Sequence, residues 1–152
     1  MDTVTYPEAS VAAAIRTHCV PLQVNTQDGS GAAVVERYRQ VWTPDVRVLA
    51  ADGFELSRWN GYLPPFEFVP QLLVALGQAR LRLHDEARAA ALYEEVLTRF
   101  PTSAVAPEAQ YFLGVARYKA SHEGADLAKA WHRLQTRYPE SIWRTKQSFI
   151  ER

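Results

Sequence analysis

Cysteine is nearly absent from this chain: Cys19 stands alone among 152 residues. No intrachain disulfide can form, and no dithiol chemistry can be completed within one copy. A net charge is also missing, because 17 Lys and Arg balance 17 Asp and Glu. Without a bulk positive field there is nothing to hold phosphate backbones or anionic lipid, so neither nucleic acid nor a membrane surface is an expected partner. No apolar run approaches the roughly 20 residues that span a bilayer, and the opening MDTVTYPEAS lacks the basic and apolar regions of a secretory signal. The expectation is a cytoplasmic chain without membrane insertion. His18, His84, His122 and His132 share no metal-ligand spacing, and a lone cysteine excludes a Cys-rich zinc site. Gly29-Ser30-Gly31 is too short for a phosphate loop and lacks its lysine, and no Ser-His-Asp arrangement or nucleophile elbow occurs. No cofactor is expected.

What is present suffices for a folded protein, since 47% of the residues are hydrophobic. Two compositional regimes meet near Leu76: Pro, Gly, Trp and short β-type runs precede it, and Ala, Leu, Glu and Arg at helical spacing follow. The pattern predicts an α/β part followed by an all-α part, with domains over 1–76 and 77–152 and a helix from about 69 to 83 shared between them.

In the first part, Val11, Ala14, Ile15 and His18 recur at helical spacing behind Pro7, which suits an opening turn. The run Cys19 to Asn25 is β-branched and apolar, and predicts a buried strand that ends in the loop TQDGSG. Ala32 to Val41 predicts a helix with Val34, Val35, Tyr38 and Val41 on one face, stopping before Thr43-Pro44. Val46 to Ala50 and Phe54 to Trp59 flank Ala51-Asp52-Gly53, the pattern of a hairpin. After Pro64-Pro65, regular helix is expected to begin near Pro70, which a helix accepts best in its opening turn, with Val69, Leu72, Leu73 and Leu76 on the buried face.

The second part repeats itself. LTRFPTS and QTRYPES are near copies, and Pro139 follows Pro101 by 139 − 101 = 38 residues. Such units are helix pairs that bury their apolar faces only by stacking. Leu76, Gly77, Ala89, Tyr93 and Pro101 fit a close-packed helical hairpin, and Leu113, Gly114, Leu127, Trp131 and Pro139 repeat the set. Ser141 is placed to cap a last helix carrying Ile142, Trp143 and Phe149.

These motifs carry two resemblances. Arg99-Phe100-Pro101, Ser103 and Ala109-Gln110-Tyr111, with Arg137-Tyr138-Pro139 and Ser141, resemble tetratricopeptide repeats whose units end in an RFP or RYP turn. About half the chain is covered, and only two units and one extra helix are present. Met1, Val4-Thr5-Tyr6, Val11, Val20-Pro21-Leu22-Gln23-Val24-Asn25, Arg37-Tyr38, Thr43-Pro44, Asp52-Gly53, Arg58 and Gly61-Tyr62 follow in the order of the thioredoxin-like superfamily, in the branch similar to the C-terminal domain of the thiol reductant DsbD. Asp45 stands where that branch usually has Thr, and the first strand with its CxxC is missing upstream. The combined expectation is an incomplete thioredoxin-like fold followed by a TPR-like helical repeat module, with Met1 internal to a longer chain or with a partner covering the gap.

The resemblance implies a cis Pro44 and a peptide-binding role for Trp42, Thr43 and Pro44. Cys19, at the start of a β-run, reads as an ordinary buried or half-buried residue, Glu94-Glu95 as a solvent-facing pair, and Tyr93, Tyr111, Phe112, Trp131 and Trp143 as packing between repeats. With no CxxC and no catalytic residue assigned, the expected function is a non-catalytic module that binds a protein or peptide. The alternative is the C-terminal portion of a thiol-disulfide oxidoreductase whose CxxC lies upstream of Met1. A homo-oligomer is compatible with either.

Overall fold

The computed structural model describes residues 1–147. It contains α1 (Ala9–His18), a single 3₁₀ turn (Gly29–Gly31), α2 (Ala32–Tyr38), β1 (Asp45–Leu49), β2 (Glu55–Asn60), α3 (Pro65–Arg82), α4 (Glu86–Arg99), α5 (Ala106–Ser121), α6 (Gly124–Arg137) and α7 (Ile142–Lys146). The coarse layout is the expected one: a mixed α/β stretch with one antiparallel two-stranded sheet, then helices. Two compact units divide the chain, Met1–Arg47 with Arg58–Val69, and Val48–Ser57 with Pro70–Arg152. Both the hairpin and α3 run through the division.

In the first unit, Val11 is fully buried on α1, and the buried Thr5 hydroxyl donates to the Leu63 carbonyl at 2.7 Å. Tyr6 and Trp59 each set an edge against Phe68, at 5.7 Å between centroids. Helix α2 ends at Tyr38 because Arg39 turns left-handed, with φ 48° and its N–H directed to Glu36 and Val35. Val41 therefore falls outside the predicted helical face and is exposed.

The predicted strand over Cys19 to Asn25 does not form. These residues belong to no ladder, and Val20 and Leu22 are 97% and 83% exposed. A strand exists only with a hydrogen-bonded neighbour, and the sheet consists of β1 and β2 alone. Pro21 also has no N–H to offer. The loop beyond it is more ordered than its composition suggests: the Asp28 carboxylate accepts the Ser30 N–H at 2.9 Å and caps the 3₁₀ turn.

The hairpin lies within a residue of its predicted bounds. Ala50 and Phe54 close it through an N–H to O bond of 2.8 Å, and only Gly53, at φ 82°, takes the left-handed conformation; Asp52 contributes its side chain, which accepts the Phe54 N–H at 2.9 Å.

Helix α3 begins five residues before Pro70, at Pro65, which needs no N–H partner in a first turn. Pro70 is thus interior, where it deprives the Phe66 carbonyl of its helical donor. Phe66 is 70% exposed, so that turn borders water, while Phe68, Val69, Pro70, Leu72, Leu73, Val74, Ala75, Leu76 and Gly77 are buried. Burial on nearly every side outweighs the proline's local cost, about 3 kcal/mol.

The second unit is a stack of helical hairpins. The turns that follow α3 and α5 each carry a left-handed histidine, His84 at φ 57° and His122 at φ 60°, and these stand 122 − 84 = 38 residues apart, the period of the sequence repeat. Ser141 caps α7 through the Trp143 N–H, as predicted, and Asp85 adds an unpredicted cap to α4 through the Arg88 N–H. A Cβ on Gly77 would lie 2.5 Å from Cε1 of Tyr93, and one on Gly114 would lie 3.0 Å from Cβ of Ala130 and 3.2 Å from Cδ1 of Trp131. The small partner of Gly114 is therefore Ala130 rather than the expected Leu127. α5 packs between α4 and α6, and α7 closes on α5 and α6. The Gln110 amide donates to the Ala130 carbonyl at 3.0 Å, the Trp131 indole to the Tyr111 carbonyl at 3.3 Å, and the Tyr138 hydroxyl to the Pro101 carbonyl at 2.9 Å. Tyr111 stacks on Trp131 at 5.0 Å, and Trp143 lies 5.3 Å from both Tyr111 and Phe112, so the aromatic series is packing. Phe149 lies outside the described residues.

Gly77→Ala places a methyl group inside the ring of a fully buried tyrosine and should cost about 1–3 kcal/mol. Gly114→Ala needs only small shifts and should cost less. Urea denaturation of the two variants checks the order, and a Gly114→Ala loss equal to or above that of Gly77→Ala contradicts it.

Candidate functional site

The amphipathic pattern of α4 buries Ala89, Tyr93, Val96 and Leu97 and leaves Glu94 and Thr98 on the flank. On α6, Ala130, Trp131 and Leu134 are buried, which turns Arg133 and Arg137, one helical turn apart, to the opposite flank. α5 lies between these helices and supplies Gln110, Leu113 and Arg117. Together the three helices enclose a groove of about 290 Å³ lined by Glu94, Leu97, Thr98, Gln110, Leu113, Arg117, Arg133 and Arg137.

The electrostatics of the groove are uneven. Arg117 reaches across to Glu94 with 2.6 Å between Nη2 and Oε1, so that acid and base neutralise each other. Arg137 lies over the ring of Tyr138 at 5.8 Å, and neither it nor Arg133 has a carboxylate partner among the described residues. Three guanidinium groups against one carboxylate leave 3 − 1 = 2 positive charges in the lining. Leu113 and Leu97 pack beneath the lining, only 2% and 9% exposed, so the surface that the groove offers is mainly polar.

A second polar cluster involves Tyr93 and Glu108 of the same unit. Burial raises the Glu108 carboxyl above its usual range, against a Gln78 amide donor at 3.5 Å and the positive Lys146. Burial also raises the Tyr93 phenol, with the Glu108 charge adding to the effect. This cluster is packed among helices and does not line the groove.

Trp42, Thr43 and Pro44 are consecutive on the chain leading into β1. The Thr43-Pro44 peptide is cis, Trp42 is 70% exposed, Thr43 is exposed and Pro44 half-buried. The Pro44 carbonyl accepts the Gly61 N–H at 2.9 Å and the Trp42 carbonyl accepts the Gln40 amide at 3.2 Å. The N–H and carbonyl of Thr43 have no hydrogen-bond partner among the described residues. Cys19 is half-buried and its thiol is pushed up by burial, the opposite of activation. All four histidines are exposed, and no group of three or more His, Cys, Asp or Glu among the described residues is placed to hold a metal ion. Glu94 is half exposed, whereas Glu95 is tied to Arg99 one turn on.

The groove arginines were missed by sequence reasoning. Their i, i+4 spacing on a predicted helix was visible, but a solvated face gives the same spacing, and only packing sets Leu97 and Leu113 beside them. Comparison of the chain with protein-family models, curated proteins and solved structures finds no match.

Because the folded chain holds the Glu108 proton more tightly than the unfolded one, the contribution of Glu108 to stability is fully present below the ordinary glutamate pKa and is lost as pH rises through its raised value. Glu108→Gln should therefore gain melting temperature relative to the parent chain between about pH 4 and about pH 7. A difference between the two proteins that stays constant over that interval contradicts this.

Proposed function

We propose that this chain is a non-catalytic protein-interaction module, a thioredoxin-like scaffold carrying TPR-like repeats that bind a segment of a protein partner. The observation that carries the reading is the α4–α5–α6 groove, whose mainly polar lining sets three arginines against one glutamate. A groove of about 290 Å³ leaves room for one or two side chains of a polypeptide. The exposed Thr43 backbone, with Trp42 and Pro44 beside it, supports a separate place for an extended peptide.

Selection of a displayed random peptide library on the purified chain tests the proposal. Enriched peptides should bind the parent chain and lose at least tenfold in affinity to Thr98→Trp, which fills the groove from an exposed position. No enrichment, or reduction of insulin disulfides by the chain itself, overturns the reading.

A further inference from the structure

We infer that the α4–α5–α6 groove takes an extended acidic peptide whose carboxylates alternate along the strand; this rests on the interaction-module reading. Arg133 and Arg137 are exposed on one flank of α6, and neither is committed to a carboxylate of the described chain. Each presents a planar fork suited to bidentate pairing with a carboxylate. Arg117 and Glu94 neutralise each other across the far side, so the surplus of positive charge is concentrated on the α6 wall.

The spacing narrows the class of ligand. Positions four apart on a helix set their Cβ atoms about 5–6 Å apart, and alternate residues of an extended strand rise about 6.6 Å along one side. Acidic side chains at positions i and i+2 of a strand lying along α6 therefore match Arg133 and Arg137. The intervening side chain points the other way, so it need make no contact with the arginines. A polyanionic nucleic acid is a poorer fit: the chain carries 17 positive and 17 negative side chains, so attraction is confined to this short stretch.

Fluorescence anisotropy with labelled Glu-Leu-Glu-Leu-Glu and Gln-Leu-Gln-Leu-Gln tests the inference on the whole chain. The glutamate peptide should bind at least tenfold tighter, about 1.4 kcal/mol, and its affinity should fall as salt is added. The double variant Arg133→Gln/Arg137→Gln should lose the same factor, while Arg88→Gln, on a surface away from the groove, should not. If the double variant loses its circular dichroism signal, the comparison of the two peptides on the parent chain decides alone. Equal binding of both peptides, or tighter binding of a labelled oligothymidylate, overturns the inference. Library-selected peptides that are neutral and bind the double variant unchanged would sink the acidic assignment and leave the module standing, whereas no selected peptide at all would remove both.

Discussion

The close approach of Gly77 to the ring of Tyr93 is the contact on which the helical unit depends. A tyrosine with no exposed surface fills the space left by a missing Cβ, so α3 and α4 lie nearer than two ordinary side chains would allow. Once that distance is set, the position of α4 fixes the surface on which α5 packs. The same device at Gly114, with Ala130 and Trp131, seats α6 on α5 in turn. Small residue against large ring is thus the rule from which the stack is generated, and crowding at the first joint is more severe than at the second.

The groove follows from that stacking. α4 and α6 both lean on α5, and whatever they carry on their outer flanks becomes a rim. Gln110 holds the setting of α6 from within the interface: its amide is buried and has to find the Ala130 carbonyl, so rotation of α6 would leave a polar group unpaired in an apolar seam. The rotational setting of α6 in turn decides where Arg133 and Arg137 stand. A polar bond in the core thereby determines the charge pattern at the surface.

How much of this was legible in the residues depends on the range of the interaction. The glycine and tyrosine of the first helical hairpin, the Asp-Gly turn and the Ser141 cap are local decisions, and each was readable because a short stretch of chain contains all the parts. Cys19 to Asn25 was misread because strand formation requires a neighbour; Val20, Leu22 and Val24 have β-type side chains, but composition cannot supply a ladder. The start of α3 was misplaced for the opposite reason: Pro70 weighs against helix locally, and only the burial of Phe68 through Gly77 outweighs it. The arginines of the groove remained hidden because their meaning lies in the leucines of two other helices.

The Tyr138 hydroxyl, bonded to the Pro101 carbonyl, gives the stack a direction. At the equivalent place one repeat earlier stands Phe100, which has no hydroxyl to reach back with. The turn after α4 is thus latched by the turn that follows it, whereas Phe100 provides no such latch. Disorder entering at α6 would release the turn between α4 and α5, whereas disorder entering at α4 meets no latch of its own to open, so the two ends of the module differ in how fraying spreads inward.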